Sequence, residues 1–379
     1  MQKENKMGVM PIKKLVVTMS LPMMISMLVQ ALYNIVDSIF VAQVCEDALT
    51  AVSLSFAAQN MMIGVATGTG VGVNALLSRY LGAKEFERAN KVASQGVLLA
   101  VLSAAAFMLF GFFGTEAFFR TQVGEESPIF AYGVDYLSIC CIASLGIFGQ
   151  VMMERLAQAT GKTTLSMFMQ LSGAITNIIL DPILILGLGP FPRMEAKGAA
   201  VATVIGQCIA ATLGIIFNLK INKELEFSFR GFRPDFGIIK RIYAVGFPSI
   251  VMMAISSVMT FAMNKLLDGF STVATNVFGI YFRLQSFAVM PVVGLNNGMV
   301  PIISYNYGAR RKDRIMKTIR YSIIFALSIT IGCMIIFQVF PEQLLLMFAT
   351  EGQSNVELLE MGIPALRIIS LNFIFAGFC

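Results

Sequence analysis

Apolar stretches long enough to cross a bilayer follow one another along almost the whole chain, and no other feature restricts its fold as strongly. About 20 mostly apolar helical residues cross the ~30 Å of hydrocarbon in a membrane. A backbone in that medium must satisfy its own hydrogen bonds. The pattern places helices at 15–44, 48–78, 92–114, 130–158, 164–189, 198–219, 238–265, 272–303, 316–340 and 355–379. Several of these exceed 25 residues, which implies tilt, kinks or extension beyond the bilayer. Only 13% of the residues are charged and the mean hydropathy is +0.76, outside the range of a soluble domain. The expected class is an all-α polytopic membrane protein.

The first stretch follows a short basic tail (Lys3, Lys6, Lys13, Lys14), as the core of a signal peptide would. It is too long for such a core, carries Asp37 within it and has no small-residue cleavage pattern after it, so it reads as the first spanning helix. The six cysteines (Cys45, Cys140, Cys141, Cys208, Cys333, Cys379) lack the paired spacing of a zinc site or disulfide scaffold and read as reduced core residues. The chain has no histidine, which excludes imidazole metal ligands and imidazole bases and leaves proton chemistry to carboxylates.

Charge alternates from loop to loop. Basic residues crowd the N-terminal tail, Arg79 to Lys91, Arg155 and Lys162, Lys220 to Arg241, and Arg310 to Arg320, while Glu46, Asp47, Glu116, Glu125, Glu126, Glu342, Glu351 and Glu357 occupy the intervening loops. Of the 28 Lys and Arg residues, only Arg120, Arg193 and Lys197 fall on the acidic side, and Lys265, Arg283 and Arg367 fall in or near helices. The positive-inside rule then puts the N-terminus in the cytoplasm of a multi-pass protein of the cell (inner) membrane. Cations that flank spans in this way explain the net charge of +6 without a nucleic-acid partner.

The chain also repeats itself. An offset of 226 residues sets Pro22 on Pro248, Gly68 on Gly294, Gly72 on Gly298, Ser78 on Ser304 and Gly82-Ala83-Lys84 on Gly308-Ala309-Arg310, followed by Arg88 on Arg314. Six helices separate the halves, so both have the same orientation and form two homologous parallel-repeat bundles about an axis along the membrane normal. The expected division is a first lobe at 1–219 with helices 1–6, a cytoplasmic linker at 220–241 and a second lobe at 242–379 with helices 7–10. Cys379 falls on Met153, so repeat mates of Gly161, Asn177 and Asp181 would lie past the last residue and the second half is short by about two of an expected six helices.

Acids inside hydrocarbon are costly, and the few present here are functional candidates. Gln30, Tyr33, Asn34 and Asp37 recur at helical spacing as a polar stripe on the first helix, which must face protein or water. Asn177 and Asp181 share a face of the fifth helix, and Pro182 frees the carbonyl of Ile178. A carboxylate, an amide and a free carbonyl can bind a bare cation, and a desolvated carboxylate near a second acid can take up a proton instead. Glu154 lies near the inner end of helix four, where a plain surface role is equally open. Thr203, Gln207 and Arg283 read as interhelical hydrogen-bonding groups. The stripe of Met19, Met23 and Met27 reads as packing rather than substrate contact.

These residues resemble the multidrug and toxic compound extrusion (MATE) transporters. The resemblance covers essentially the whole chain and rests on Leu21-Pro22, Tyr33-Asn34-Ile-Val-Asp37, the two Gly-Ala-Lys/Arg turns, Ala159-Thr160-Gly161-Lys162, Asn177-Ile-Ile-Leu-Asp181-Pro182 and Gly198-Ala199-Ala200-Val-Ala-Thr203. It implies twelve helices in two six-helix lobes. It also implies export of amphipathic or cationic compounds by alternating access, driven by an inward proton or sodium gradient, with that ion as the coupling species and no resident cofactor. Asp37, Asn177 and Asp181 match the positions to which cation coupling is attributed. Gln30, Tyr33 and Thr203 are similar to parts of the same polar network, and Glu154 to a helix-four member of it. One bacterial branch adds an acid in helix seven, whereas Gly246 to Lys265 contains none, so the resemblance assigns coupling to the first lobe.

Other readings remain open at this point. A flippase for lipid-linked oligosaccharides or cell-wall precursors would need an arginine-rich cleft to hold pyrophosphate, and the spans offer mainly Arg283 and Arg367. A non-transporting remnant would fit the short second half. An intramembrane enzyme would leave the repeat unexplained, and no enzymatic activity is expected. The expected partners are small molecules and the bilayer, and the expected state is a monomer.

Overall fold

The computed structural model describes residues 5–42, 46–124, 126–188, 192–225, 233–268, 272–346 and 355–378. Lys3, Cys45, Glu125, Arg230, Glu351 and Cys379 therefore lie outside the described residues, as does the stretch 226–232 of the linker.

The described elements are all helical: α1 (Lys6–Val9), α2 (Ile12–Ala42), α3 (Glu46–Gly82), α4 (Phe86–Phe113), α5 (Thr115–Arg120), α6 (Pro128–Ile142), α7 (Leu145–Ala159), α8 (Thr163–Leu186), α9 (Ala196–Lys220), α10 (Phe236–Asp268), α11 (Thr272–Gly308), α12 (Lys312–Val339), α13 (Pro341–Leu346), α14 (Asn355–Ser370) and α15 (Asn372–Phe378). Nine described helices or helix segments are long and apolar enough to cross a membrane, and α6 with α7, bent by 46°, is long and apolar enough only when the two are taken together. The helix expected at 130–158 is thus broken. Ala143 and Ser144 close a tight turn, with the Gly146 amide donating to the Ala143 carbonyl (2.9 Å) and the Ser144 hydroxyl to the Ala104 carbonyl of α4 (3.0 Å).

Two bundles form, one from α2–α9 and one from α10–α15, and they meet where α2 and α3 of the first cross α11 and α10 of the second. The crossings obey the sequence repeat. A Cβ on Gly82 would fall on the Tyr305 carbonyl and one on Gly308 on the Arg79 carbonyl, and Arg79 and Tyr305 are themselves repeat mates. A Cβ on Gly294 would come within 2.6 Å of the Met24 backbone, and one on Gly68 would fall on Ile250, the mate of Met24. Small residues let helix backbones approach this closely. Both Gly-Ala-Lys/Arg turns form: each glycine closes its helix at a crossing, and the left-handed conformation falls on Lys84 (φ 62°) and Arg310 (φ 56°).

One apolar core joins the bundles at the face that carries the N-terminus, with Leu15, Met19, Val73, Leu77 and Leu156 packed with Ile242, Leu295, Ile302 and Tyr305. Toward the opposite face the core divides. Val277, Leu284, Leu345, Leu366 and Phe373 pack within the second bundle, and Val41, Val52, Tyr136 and Ile185 within the first. The bundles are therefore closed together at the basic face and separate at the acidic one. Met19 and Met23 are fully buried, in keeping with packing.

Within the first bundle, α8 and α9 cross at Gly173 and Gly206, where an added Cβ on Gly206 would lie 2.7 Å from the Gly173 carbonyl oxygen. Gly206→Val should force these helices apart and cost about 1–3 kcal/mol of stability. A clear drop in melting temperature of the purified protein is expected, and an unchanged one would contradict the crossing.

Candidate cation site

The polar stripe of α2 meets α8 at Gln30. Gln170 of α8 donates its amide to Gln30 Oε1 (2.6 Å), which ties the two helices one above the other. Farther from the N-terminus, Asn177 donates from Nδ2 to Asp181 Oδ1 (3.3 Å) and to Thr203 Oγ1 of α9 (3.2 Å). Asn177 and Asp181 are buried, 3% and 0% exposed, as their four-residue spacing on one helix face requires. Asp37 and Asp181 lie within electrostatic range of each other, and the Tyr33 hydroxyl within range of both.

The expected residues are thus brought together with two exceptions. Asn34 is exposed, although the other members of the stripe are at least half-buried. Glu154 stands apart from the aspartates and is not at the surface, being 8% exposed. Gln150 donates to its Oε1 (2.9 Å), and its neighbour Arg155 reaches across to Asn297 Oδ1 of α11 (2.9 Å) and to Gln158 Oε1 (3.1 Å). Arg155 therefore belongs to the seam between the bundles, while Glu154 is held by Gln150 within α7.

Sequence reasoning missed Gln59, Tyr136, Cys140 and Gln170. Gln59 of α3 donates to the Tyr136 hydroxyl (3.2 Å) and to Cys140 Sγ (3.4 Å) on α6, and the charge of Asp37 is felt at both. Gln170 could have been found, since it lies two helical turns before Asn177 on the same face. The other three carry no such signal.

Three oxygens remain unsatisfied at this site. Asp37 Oδ1, Asn177 Oδ1 and Asp181 Oδ2 are shielded from solvent and accept no hydrogen bond from the described residues. Leaving a buried acceptor unmet costs about 1–3 kcal/mol, and more for a charged group. A proton or a small cation would meet the need of two carboxylates and an amide oxygen on adjacent helices. No cluster of three or more His, Cys, Asp or Glu suited to a metal ion occurs among the described residues.

The family model MatE matches residues 22–183 and 248–379, the two halves of the repeat. The chain is 29% identical over 364 residues to the multidrug export protein MepA of Staphylococcus haemolyticus, covering 94% of this chain and 79% of the relative. It is 28% identical over 376 residues to MepA of Staphylococcus aureus strain N315, covering 97% of this chain and 81% of the relative. Among solved structures, a MATE protein in complex with MaL6 superposes with a TM-score of 0.92 at 25% identity, over 100% of this chain and 83% of that one. A multidrug resistance MATE family transporter of the MOP superfamily in its outward-facing conformation gives 0.91 at 24% identity, over 100% and 85%.

Proposed function

Because this chain belongs to the MatE family, we propose that it is a cation-coupled antiporter that exports amphipathic or cationic small molecules by alternating access of two lobes. The observation that carries the reading is the set of three unsatisfied oxygens of Asp37, Asn177 and Asp181. Multidrug export is the named activity of its MepA relatives, which supports the substrate class.

Residues 1–219 and 242–379 act as the lobes and 220–241 as the linker on the cytoplasmic side of the cell membrane. The seam at the basic face then closes the cytoplasmic entrance, and the divided acidic face opens the cleft outward. A proton or sodium ion entering from outside satisfies the aspartates, and its occupancy biases the lobes toward the inward-open arrangement. Substrate taken up there restores the outward-open one. The ion drives export only by binding the two arrangements with different affinity. Gln30, Gln170, Tyr33 and Thr203 orient the acids, while Gln59 and Tyr136 bound the chamber from α3 and α6.

The test is dye efflux from vesicles containing the purified chain, with sodium and proton gradients imposed separately. Efflux that follows one gradient and ceases when that gradient is collapsed is the expected result and identifies the ion. Efflux indifferent to both gradients would overturn the coupling, and an inserted, folded chain that moves no dye would overturn the export reading.

A further inference from the structure

The segment just before the first span lies across the seam and is held by both lobes. On the side of the first lobe and linker, Asn5 donates through Nδ2 to the Thr160 carbonyl (2.9 Å) and to Glu224 Oε2 of the linker (2.6 Å), while its Oδ1 accepts from the Met7 amide (2.9 Å). Gly161, in the left-handed conformation with φ +84°, lets the segment settle against it: an added Cβ would lie 3.3 to 3.4 Å from Lys6 Cε, Asn5 Oδ1 and Met7 Cγ. Met7 is fully buried beneath. From the second lobe, Asn306 Nδ2 donates to the Met7 carbonyl (3.2 Å), Arg314 Nη2 to the Met7 and Met10 carbonyls (3.0 and 2.8 Å), and Arg311 to the Gly8 carbonyl. Arg314 Nε is steadied by Asn306 Oδ1 (3.0 Å).

These bonds fit an α1 that ends after one turn. Its last carbonyls have no helical partner and carry the negative end of the backbone dipole, so guanidinium groups suit them. Each of these bonds from the second lobe to the segment ends on main chain, which makes the grip depend on Arg314, Arg311 and Asn306 and not on the side chains of the segment.

The repeat argues that the grip is specialised. Arg88, the mate of Arg314, is bound instead to Glu85 (2.6 Å), and both side chains are well exposed, 63% and 42%. Glu85 is the mate of Arg311, so the second lobe has a cation where the first has the acid that occupies Arg88. Tyr80, the mate of Asn306, receives a side-chain donor, Arg241 (3.0 Å). The twofold relation that governs the glycine crossings is broken here.

We propose that residues 5–10 form a clasp that holds the lobes shut at the basic face, and that Arg314 is the positioning residue whose release lets this face open. The proposal rests on the reading that the lobes alternate, and it concerns a different part of the molecule from the cation site.

The test is a spin-label distance measurement across the seam in the full chain, reconstituted in lipid, with the six native cysteines replaced by alanine. Labels are placed at Lys91→Cys and Lys317→Cys, exposed repeat mates on opposite lobes. Arg314→Gln should raise the ratio of long-distance to short-distance populations about tenfold, the weight of one charge-assisted hydrogen bond. Asn5→Ala, which cuts the other anchor, should shift it the same way, and Arg88→Gln should leave it unchanged. An Arg314→Gln distribution equal to that of the parent, or an equal shift in Arg88→Gln, would overturn the clasp. Since the readout is a distance, a shift in a chain that shows no gradient-driven efflux would keep the clasp and refute the exporter reading, so the two fail separately.

Discussion

Asp37→Asn should abolish gradient-driven efflux in a protein that still inserts and folds. The substitution keeps the size and shape of the side chain and removes the charge. On the proposed mechanism the coupling ion then loses one of the two carboxylates on which its different affinity for the two arrangements depends. Couplings between sites of this kind amount to about 1–3 kcal/mol, or roughly 5- to 150-fold, so the driven rate should fall to near the background leak. Folding should not suffer. Asp37 Oδ1 is buried with no protein donor among the described residues, and a neutral amide is cheaper than a carboxylate in that position. The expected pair of results is therefore a lost rate and an equal or raised melting temperature. Full efflux by the variant, measured per inserted molecule, would remove Asp37 from the mechanism.

Gly308→Ala should have a comparable effect on transport by a different route. The new methyl group would fall on the Arg79 carbonyl, and neither partner is a side chain that can rotate away. The helices must separate, and the neighbouring crossings loosen with them: the one where a Cβ on Gly298 would come within 2.7 Å of the Ser20 Cα, and the one where Gly82 meets Tyr305. Each bundle keeps its own apolar core, so the chain should still fold. It should no longer close at the basic face. Ser20 is 1% exposed in the closed seam, and a Ser20→Cys reporter should react with a maleimide at least about tenfold faster in the Gly308→Ala background, with efflux reduced by a similar factor. Unchanged labelling would mean that the crossing is looser than described.

The spans, the repeat and the pairing of Asn177 with Asp181 were legible because each rests on periodicity along one helix, which is a property of sequence. Partner choice across helices is not. Gln59, Tyr136 and Cys140 are single polar residues on α3 and α6, and only the packing of those two helices against each other brings them together. Glu154 was ambiguous for the same reason, since its depth depends on the helices packed around α7, chiefly α3, α4, α8 and α9. The break between α6 and α7 was hidden because no proline announces it and the bond that ties its turn to α4, from Ser144 to the Ala104 carbonyl, is a tertiary contact. Gly82 and Gly308 were visible as glycines, but their role at a crossing was not, because a glycine near a helix end suggests a turn. The N-terminal lysines carry a topological signal, yet the bonding of this segment runs through Asn5 and the carbonyls of Met7, Gly8 and Met10, which no charge count reveals.

The glycine crossings also bear on how tightly the machine is geared. A gate built from side chains flickers open whenever a rotamer flips, within picoseconds to nanoseconds, whereas main chain laid against main chain can part only when whole bundles move, on the microsecond to millisecond scale. Ions that arrive between such movements find no passing gap. A transporter of this construction should therefore waste little of its gradient, with slippage limited to the rate at which the lobes themselves rock.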